Sequence, residues 1–361
     1  MRIGIDARFW SETGVGRYIR NLIINLQIID KQNDYVLFIR DEDYGDVKLR
    51  ISNLKFKIAN CNIKWHTVEE QVVFSRILNK HNLDLVHFPY YSVPVFYNRP
   101  FVVTIHDLIP LHFQTGKAST LPLPLYRLKL QAFKFVVFQA AKKAKKIITP
   151  SIASKKDVEK FLKSKPSKIK VIYEGVDGNL KSGKNQRKEN LILYIGNAYP
   201  HKNLETLLLA FKNSNLQNTK LVLIGKDDYF YKRLRKKANE FKVGGLVEFH
   251  GEATESELLS FYKKAKVLVI PSLLEGFGLP VLEAMANNCL VLASDIPVLH
   301  EVGGDAAIYF NPNDVGDLST RVKEVFEGKY SENISKGLQR VRNFSWRKTA
   351  EETLRVYKSC V

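Results

Sequence analysis

The stretch Val267-Leu268-Val269-Ile270-Pro271-Ser272-Leu273-Leu274-Glu275-Gly276-Phe277-Gly278-Leu279-Pro280-Val281-Leu282-Glu283 sets the reading of the whole chain. An apolar, β-branched run ends at Pro271. A loop with two glycines follows. Pro280 then suits the first position of a helix, where its missing N–H is no loss. Strand, glycine loop and helix start together make an anion site. Small residues let an anion approach the backbone, and the unpaired N–H groups of the first helical turn point at it. Glu275 stands on the loop before the glycines. Glu283 is expected in the first helical turn, where a carboxylate can accept hydrogen bonds from sugar hydroxyls. The helix dipole alone also favours a first-turn glutamate, and two glycines can serve only a tight turn. The combination is more specific than its parts.

The same pattern recurs outward from this stretch. Residues 191–196 read as a strand ending in Gly196. The loop from Asn197 to Lys202 leads to Asn203, an N-cap type residue, and a helix from Leu204. A lysine at that place can neutralise a diphosphate. Further strands are expected at 220–224, 247–250 and 290–293, each followed by a helical pattern, with a last helix near 346–359. The first half alternates likewise, with strands at 2–6, 35–39, 85–88, 101–105, 146–150 and 169–172 and helices at 16–29 and 68–81. Residues 181–190 are polar and read as a linker. The expected fold is therefore α/β: two Rossmann-like domains facing one another across a cleft, with ligands beyond the carboxyl ends of the strands. Two first-half loops stand at such ends. One carries Gly14 and Gly16 at a helix start. The other carries His106, which can donate to a phosphate or hydroxyl, although a lone histidine is more often structural.

At roughly 100–200 residues per domain, 361 residues suit two domains. No run of about 18 uncharged apolar residues is present to span a membrane. The start, Met1-Arg2-Ile3-Gly4-Ile5-Asp6, does not read as a signal peptide. Three scattered cysteines fit neither a disulfide framework nor a zinc cluster, and suit a reducing cytoplasm. Asp41-Glu42-Asp43 looks like a metal-binding pair but reads as a solvated loop, and no metal site is expected. The net charge of +19 favours polyanionic partners. Between Leu108 and Lys156 there is no Asp or Glu but ten basic residues, seven of them from Arg127 to Lys146. Tyr126, Phe133, Phe135 and Phe138 interleave with these, so the segment is expected to meet an anionic inner membrane leaflet. Nucleic acid is not expected, since it does not explain the Glu275 loop.

On these residues the chain resembles the retaining glycosyltransferases of family GT4, which have the GT-B fold, over nearly its whole length. Glu275-Gly276-Phe277-Gly278-Leu279-Pro280 and then Glu283-Ala284-Met285-Ala286 match that family's paired-glutamate motif. The segments Val291-Leu292-Ala293-Ser294-Asp295-Ile296-Pro297, Asp6-Ala7-Arg8 and His106-Asp107-Leu108 are similar to the subgroup of bacterial O-antigen mannosyltransferases. The resemblance implies an acceptor domain over 1–177, a nucleotide-sugar donor domain over 178–345, and a crossover helix over 346–361 packing on the first domain. It implies that Glu283 binds the ribose and Glu275 the donor sugar. Backbone N–H groups of Gly276, Phe277, Gly278 and Leu279 would hold sugar and diphosphate, with Gly196 and Asn197 beside them. Lys202 would stabilise the leaving diphosphate and His106 would sit beside the donor sugar. Gly14 and Gly16 would let the first domain close on the phosphates. Two departures stand out. Asn197 occupies the place of a customary arginine, so that either a nearby base such as Arg17 or His201 compensates or leaving-group stabilisation is weaker, and Asn287-Asn288 replaces a Cys-Gly pair.

The implied reaction moves a hexose, mannose from GDP-mannose in this subgroup, to a saccharide acceptor carried on a lipid, in surface polysaccharide or O-antigen synthesis. It needs no cofactor and no metal, and the nucleotide sugar is a co-substrate. No carboxylate is visibly placed as a nucleophile, so same-face attack is expected, with the leaving phosphate oxygen as base. The expected location is cytoplasmic, peripheral on the membrane's cytoplasmic face. A nucleotide-sugar epimerase, a phosphorylase and a non-catalytic nucleotide-sugar sensor remain open at this point.

Overall fold

The computed structural model describes residues 1–53, 55–114, 116–117, 119–176 and 188–361. The chain divides into two compact units, Met1–Gly175 with Ser345–Val361, and Val176–Phe344. The expected domain boundary at 177/178 and residues 181–187 of the expected linker lie outside the described residues. The last two residues of that linker, Glu189 and Asn190, begin a strand instead.

The first unit is built on a seven-stranded sheet: β1 (Arg2–Asp6), β2 (Asp34–Ile39), β3 (Phe56–Asn60), β4 (Leu85–Phe88), β5 (Phe101–Thr104), β6 (Lys146–Thr149) and β7 (Ile169–Val171). Their spatial order is β3-β2-β1-β4-β5-β6-β7, and every pairing is parallel. The second unit holds β8 (Glu189–Ile195), β9 (Lys220–Ile224), β10 (Val247–Gly251), β11 (Ala265–Ile270), β12 (Leu290–Ser294) and β13 (Ile308–Phe310), in the parallel order β10-β9-β8-β11-β12-β13. The central strands are buried along their length, as at Leu85–Phe88 and Phe101–Thr104. Helices cover parallel sheets on both faces, so such strands read as continuous apolar runs rather than alternating ones.

β3 and β13 escaped the sequence reading. Both are edge strands. β3 carries the exposed Lys57, and β13 is three residues long. The helical pattern at 68–81 resolves into a π-turn, Glu70–Phe74, running into an α-helix, Ser75–Asn79. Single π-turns of this kind mark local constraints. Here the Glu70 carboxylate is fully buried and accepts from Arg8 at 2.7 Å and from Ser92 at 2.7 Å.

The helix Trp346–Lys358 belongs to the first unit and packs along the helix Gly14–Ile29. Polar contacts fix it there. Tyr357 Oη lies 2.6 Å from His87 Nδ1, whose Nε2 lies 2.8 Å from Thr104 Oγ1. Thr349 Oγ1 donates to the Tyr173 carbonyl. The start of the helix presses on Gly175, where a Cβ would stand 2.1 Å from the Trp346 nitrogen. The exposed triplet expected at 41–43 is instead a 3₁₀ turn whose Asp43 is buried and accepts from Ser11. Burial raises the Asp43 carboxyl above its ordinary range.

Candidate donor-binding site

In the second sheet the strand order reverses between β8 and β11, because successive strands extend away from that junction to opposite edges. Ligands of open parallel sheets bind beyond the carboxyl ends at such a switch point. The chain leaves β8 through Gly196 toward Lys202, and leaves β11 through Pro271 toward Glu275. Topology alone thus brings these two loops together, although they are far apart in sequence.

They meet directly. Lys202 Nζ donates to Glu275 Oε1 at 2.7 Å and to Oε2 at 2.8 Å. Ser272 Oγ donates to Oε1 at 2.7 Å. A backbone bond from Leu273 N to the His201 carbonyl, 2.8 Å, ties the loops a second time. Both ionic side chains are mostly buried, at 15% and 13% exposure, so the pair works in a medium far less polarisable than water. Burial by itself would raise the Glu275 carboxyl. Lys202, Ser272 and His201 outweigh burial and hold it below the usual carboxylate range. The neighbouring His201 does not supply the second cation expected near Asn197. Its burial, then the Lys202 charge, push it down to about 4, so it is neutral at pH 7.

The loop after Glu275 turns at Gly278, whose φ of +106° is left-handed and suits glycine. The helix begins at Leu279 and runs to Ala286, which makes Pro280 its second residue rather than its first. Glu283 is the fifth residue, just past the expected first turn. There it is buried, and its Oε2 accepts from Tyr262 Oη at 2.7 Å. Phe277 packs edge-on against Phe344, and Asn287 Nδ2 caps the helix by donating to the Glu283 carbonyl. Asn203 does not cap through its side chain. It adopts a left-handed conformation (φ +58°), donates to the Pro312 carbonyl and accepts from Thr206. Gly196 (φ +148°) and Asn197 form the exit from β8, where Asn197 Oδ1 accepts from Tyr199 N.

In the first unit, Gly14 is the first residue of its helix and has open space around it. Gly16 is needed for packing, since a Cβ there would stand 2.5 Å from the Trp10 carbonyl. His106 follows β5 as expected, but both ring nitrogens are engaged, Nδ1 with Glu174 at 3.1 Å and Nε2 with the Pro89 carbonyl at 3.0 Å. Burial would lower this histidine; the Glu174 and Pro89 contacts prevail and raise it. In this state it offers no ring nitrogen as a donor to a ligand. Sequence reasoning also missed the buried cluster at the end of β1. Arg8 there donates to Asp6 at 2.7 Å, to Glu70 at 2.7 Å and to the Ile63 carbonyl. Glu70 is too distant in sequence for spacing to reveal it. Tyr262 and Ser272 gave no signal either. Among the described residues, no group of three or more His, Cys, Asp or Glu is placed to hold a metal ion.

Residues 177–340 match the family model for glycosyl transferases group 1, and residues 13–179 match that for Glycosyltransferase Family 4. The chain belongs to these glycosyltransferases, one family model covering each half of the two-sheet GT-B architecture. It is 29% identical over 280 residues to the O-antigen chain mannosyltransferase RfbU of Salmonella typhimurium, a match spanning 78% of this chain and 74% of that one. Its fold is similar to that of sucrose-phosphate synthase from Thermosynechococcus elongatus, with a TM-score of 0.81 and 19% identity over 99% of this chain and 98% of the other. It is also similar to Anabaena HepE in complex with UDP and glucose, with a TM-score of 0.78 and 17% identity over 99% and 100%.

Proposed function

We propose that this glycosyltransferase binds a nucleotide-diphosphate sugar at the β8/β11 switch point and transfers its hexose, with retention and without a metal ion, to a lipid-linked saccharide acceptor in surface polysaccharide synthesis. The carrying observation is the Lys202–Glu275 pair beside the Gly276–Leu279 loop. A lysine held at a sheet's carboxyl edge can exchange its carboxylate partner for phosphate as charge develops on the leaving group. Glu275 is then released to accept from sugar hydroxyls. The 29% identity to a mannosyltransferase supports mannose, and hence GDP-mannose, as donor. The place of His106, Gly14 and Gly16 at the donor rests on the resemblance alone.

A peripheral site on an anionic membrane face is part of the same reading. Among the described residues, no helix is long and apolar enough to cross a membrane. The helix Leu123–Lys143 nevertheless leaves Leu125, Leu128, Phe135 and Phe138 exposed among its basic residues.

A thermal-shift panel of GDP-, UDP- and dTDP-sugars tests the donor. Stabilisation by GDP-mannose alone is expected, followed by turnover that EDTA does not reduce. Absence of a shift with every nucleotide sugar would overturn the reading.

A further inference from the structure

The donor loop is short of positive charge. Lys202 is neutralised by Glu275, and His201 is uncharged at pH 7. A diphosphate placed there needs other donors, and the path of the backbone supplies them.

Two buried tyrosines grip consecutive carbonyls of the loop that leaves β8. Tyr231 Oη donates to the Gly196 carbonyl at 2.7 Å, and Tyr194 Oη donates to the Asn197 carbonyl at 2.6 Å. Both rings are 1% exposed and belong to the core beneath the sheet's end. In a planar trans peptide, the N–H of one residue points opposite to the C=O of the residue before it. Drawing carbonyls 196 and 197 down to the core therefore turns the amides of Asn197 and Ala198 away from it. Neither amide donates to any of the described residues. The arrangement is tightly held, because a Cβ on Gly225 would stand 2.1 Å from the Gly196 carbonyl and 2.5 Å from Tyr231 Oη. The same loop reaches Lys202 within a few residues, and the Lys202 amide closes it by donating to the Tyr199 carbonyl.

We infer that the Asn197 and Ala198 amides bind the distal phosphate of a nucleoside diphosphate sugar, with Tyr194 and Tyr231 as positioning residues that aim them. This rests on the donor site proposed above and goes beyond it. It gives the diphosphate a neutral, preorganised pair of donors beside Lys202 in place of a second cation. Dipoles fixed by the fold need no reorganisation when charge develops on the leaving phosphate.

The test compares GDP with GMP, and UDP with UMP, by calorimetric titration. The wild type should prefer a diphosphate over its monophosphate. Tyr231→Phe and Tyr194→Phe each remove one hydroxyl and keep the ring, so each should lower that preference about tenfold, with monophosphate affinity unchanged. Ala198→Pro removes one amide donor while leaving both tyrosine hydroxyls in place and should have the same effect; it decides the matter where a tyrosine variant does not fold. Asn197→Arg, added to Tyr231→Phe, should restore the preference through a side-chain cation. An unchanged diphosphate preference in the folded variants overturns the inference and leaves the donor site standing. A wild type with no diphosphate preference overturns both.

Discussion

The Lys202 ammonium lies within hydrogen-bond reach of both Glu275 oxygens, 2.7 and 2.8 Å away, so the two groups satisfy one another. Removing one partner strands the other. Lys202→Ala should cost about 3 kcal/mol of stability by leaving a buried carboxylate unpaired, while the double variant Lys202→Met/Glu275→Leu should recover most of it. Chemical denaturation measures both. The single variant should also lower turnover more than donor affinity, because a leaving-group contact counts most in the transition state.

Two buried histidines make stability depend on mild acid. Burial pushes His87 down to about 3 and His201 to about 4, against an ordinary value of 6.5. Their neutral forms belong to the native state, so the unfolded chain binds the extra protons. Stability is complete above pH 6.5 and falls as pH drops below it, by about 2 kcal/mol per histidine at pH 5. Glu275 acts lower down. Its depressed carboxyl contributes fully above its ordinary value of 4.5, and that contribution is lost as pH falls through the lower native value. Denaturant midpoints from pH 7 to pH 5 should decline, and His87→Asn should flatten the slope.

The basic helix can be separated from the core by its exposure. Leu128 is 69% and Phe135 56% exposed. Leu128→Glu and Phe135→Glu should leave stability within about 0.5 kcal/mol. Both should weaken cosedimentation with vesicles containing anionic lipid, as should raised salt. Binding that ignores salt, lipid charge and these substitutions would remove the membrane from the proposed function.

At Gly175 there is no room for a methyl group, since the obstacle is the backbone of Trp346. Gly175→Ala should lower the thermal midpoint by several degrees. It should also make the C-terminal helix an early target of limited proteolysis.

The sequence exposes the parts of the fold that depend on local pattern. Apolar runs bounded by glycine and proline locate the central strands, because buried parallel strands need no alternation. β3 and β13 lie at the edges, where half-solvated and short segments resemble loops. At the site, Lys202 and Glu275 are legible singly, each as a charge at a strand's end, but their contact is a product of strand order. Glu283 falls one residue deeper than expected because the helix starts at Leu279, and its partner Tyr262 comes from a helix that no spacing rule connects to it. His106 is found where expected, yet Glu174, the group that holds it, is distant in sequence.

The helix Trp346–Lys358 places a constraint on the order of events during synthesis. The first unit emerges from the ribosome early, but its His87–Tyr357 bond joins residues separated by 270 positions. The whole second unit, which is contiguous in sequence, can fold while the first still lacks its final helix. Until then His87 and the face of the helix Gly14–Ile29 that this helix will cover stay open to water and to other chains. Truncations and fusions at the carboxyl end should therefore be read as lesions in the amino-terminal unit.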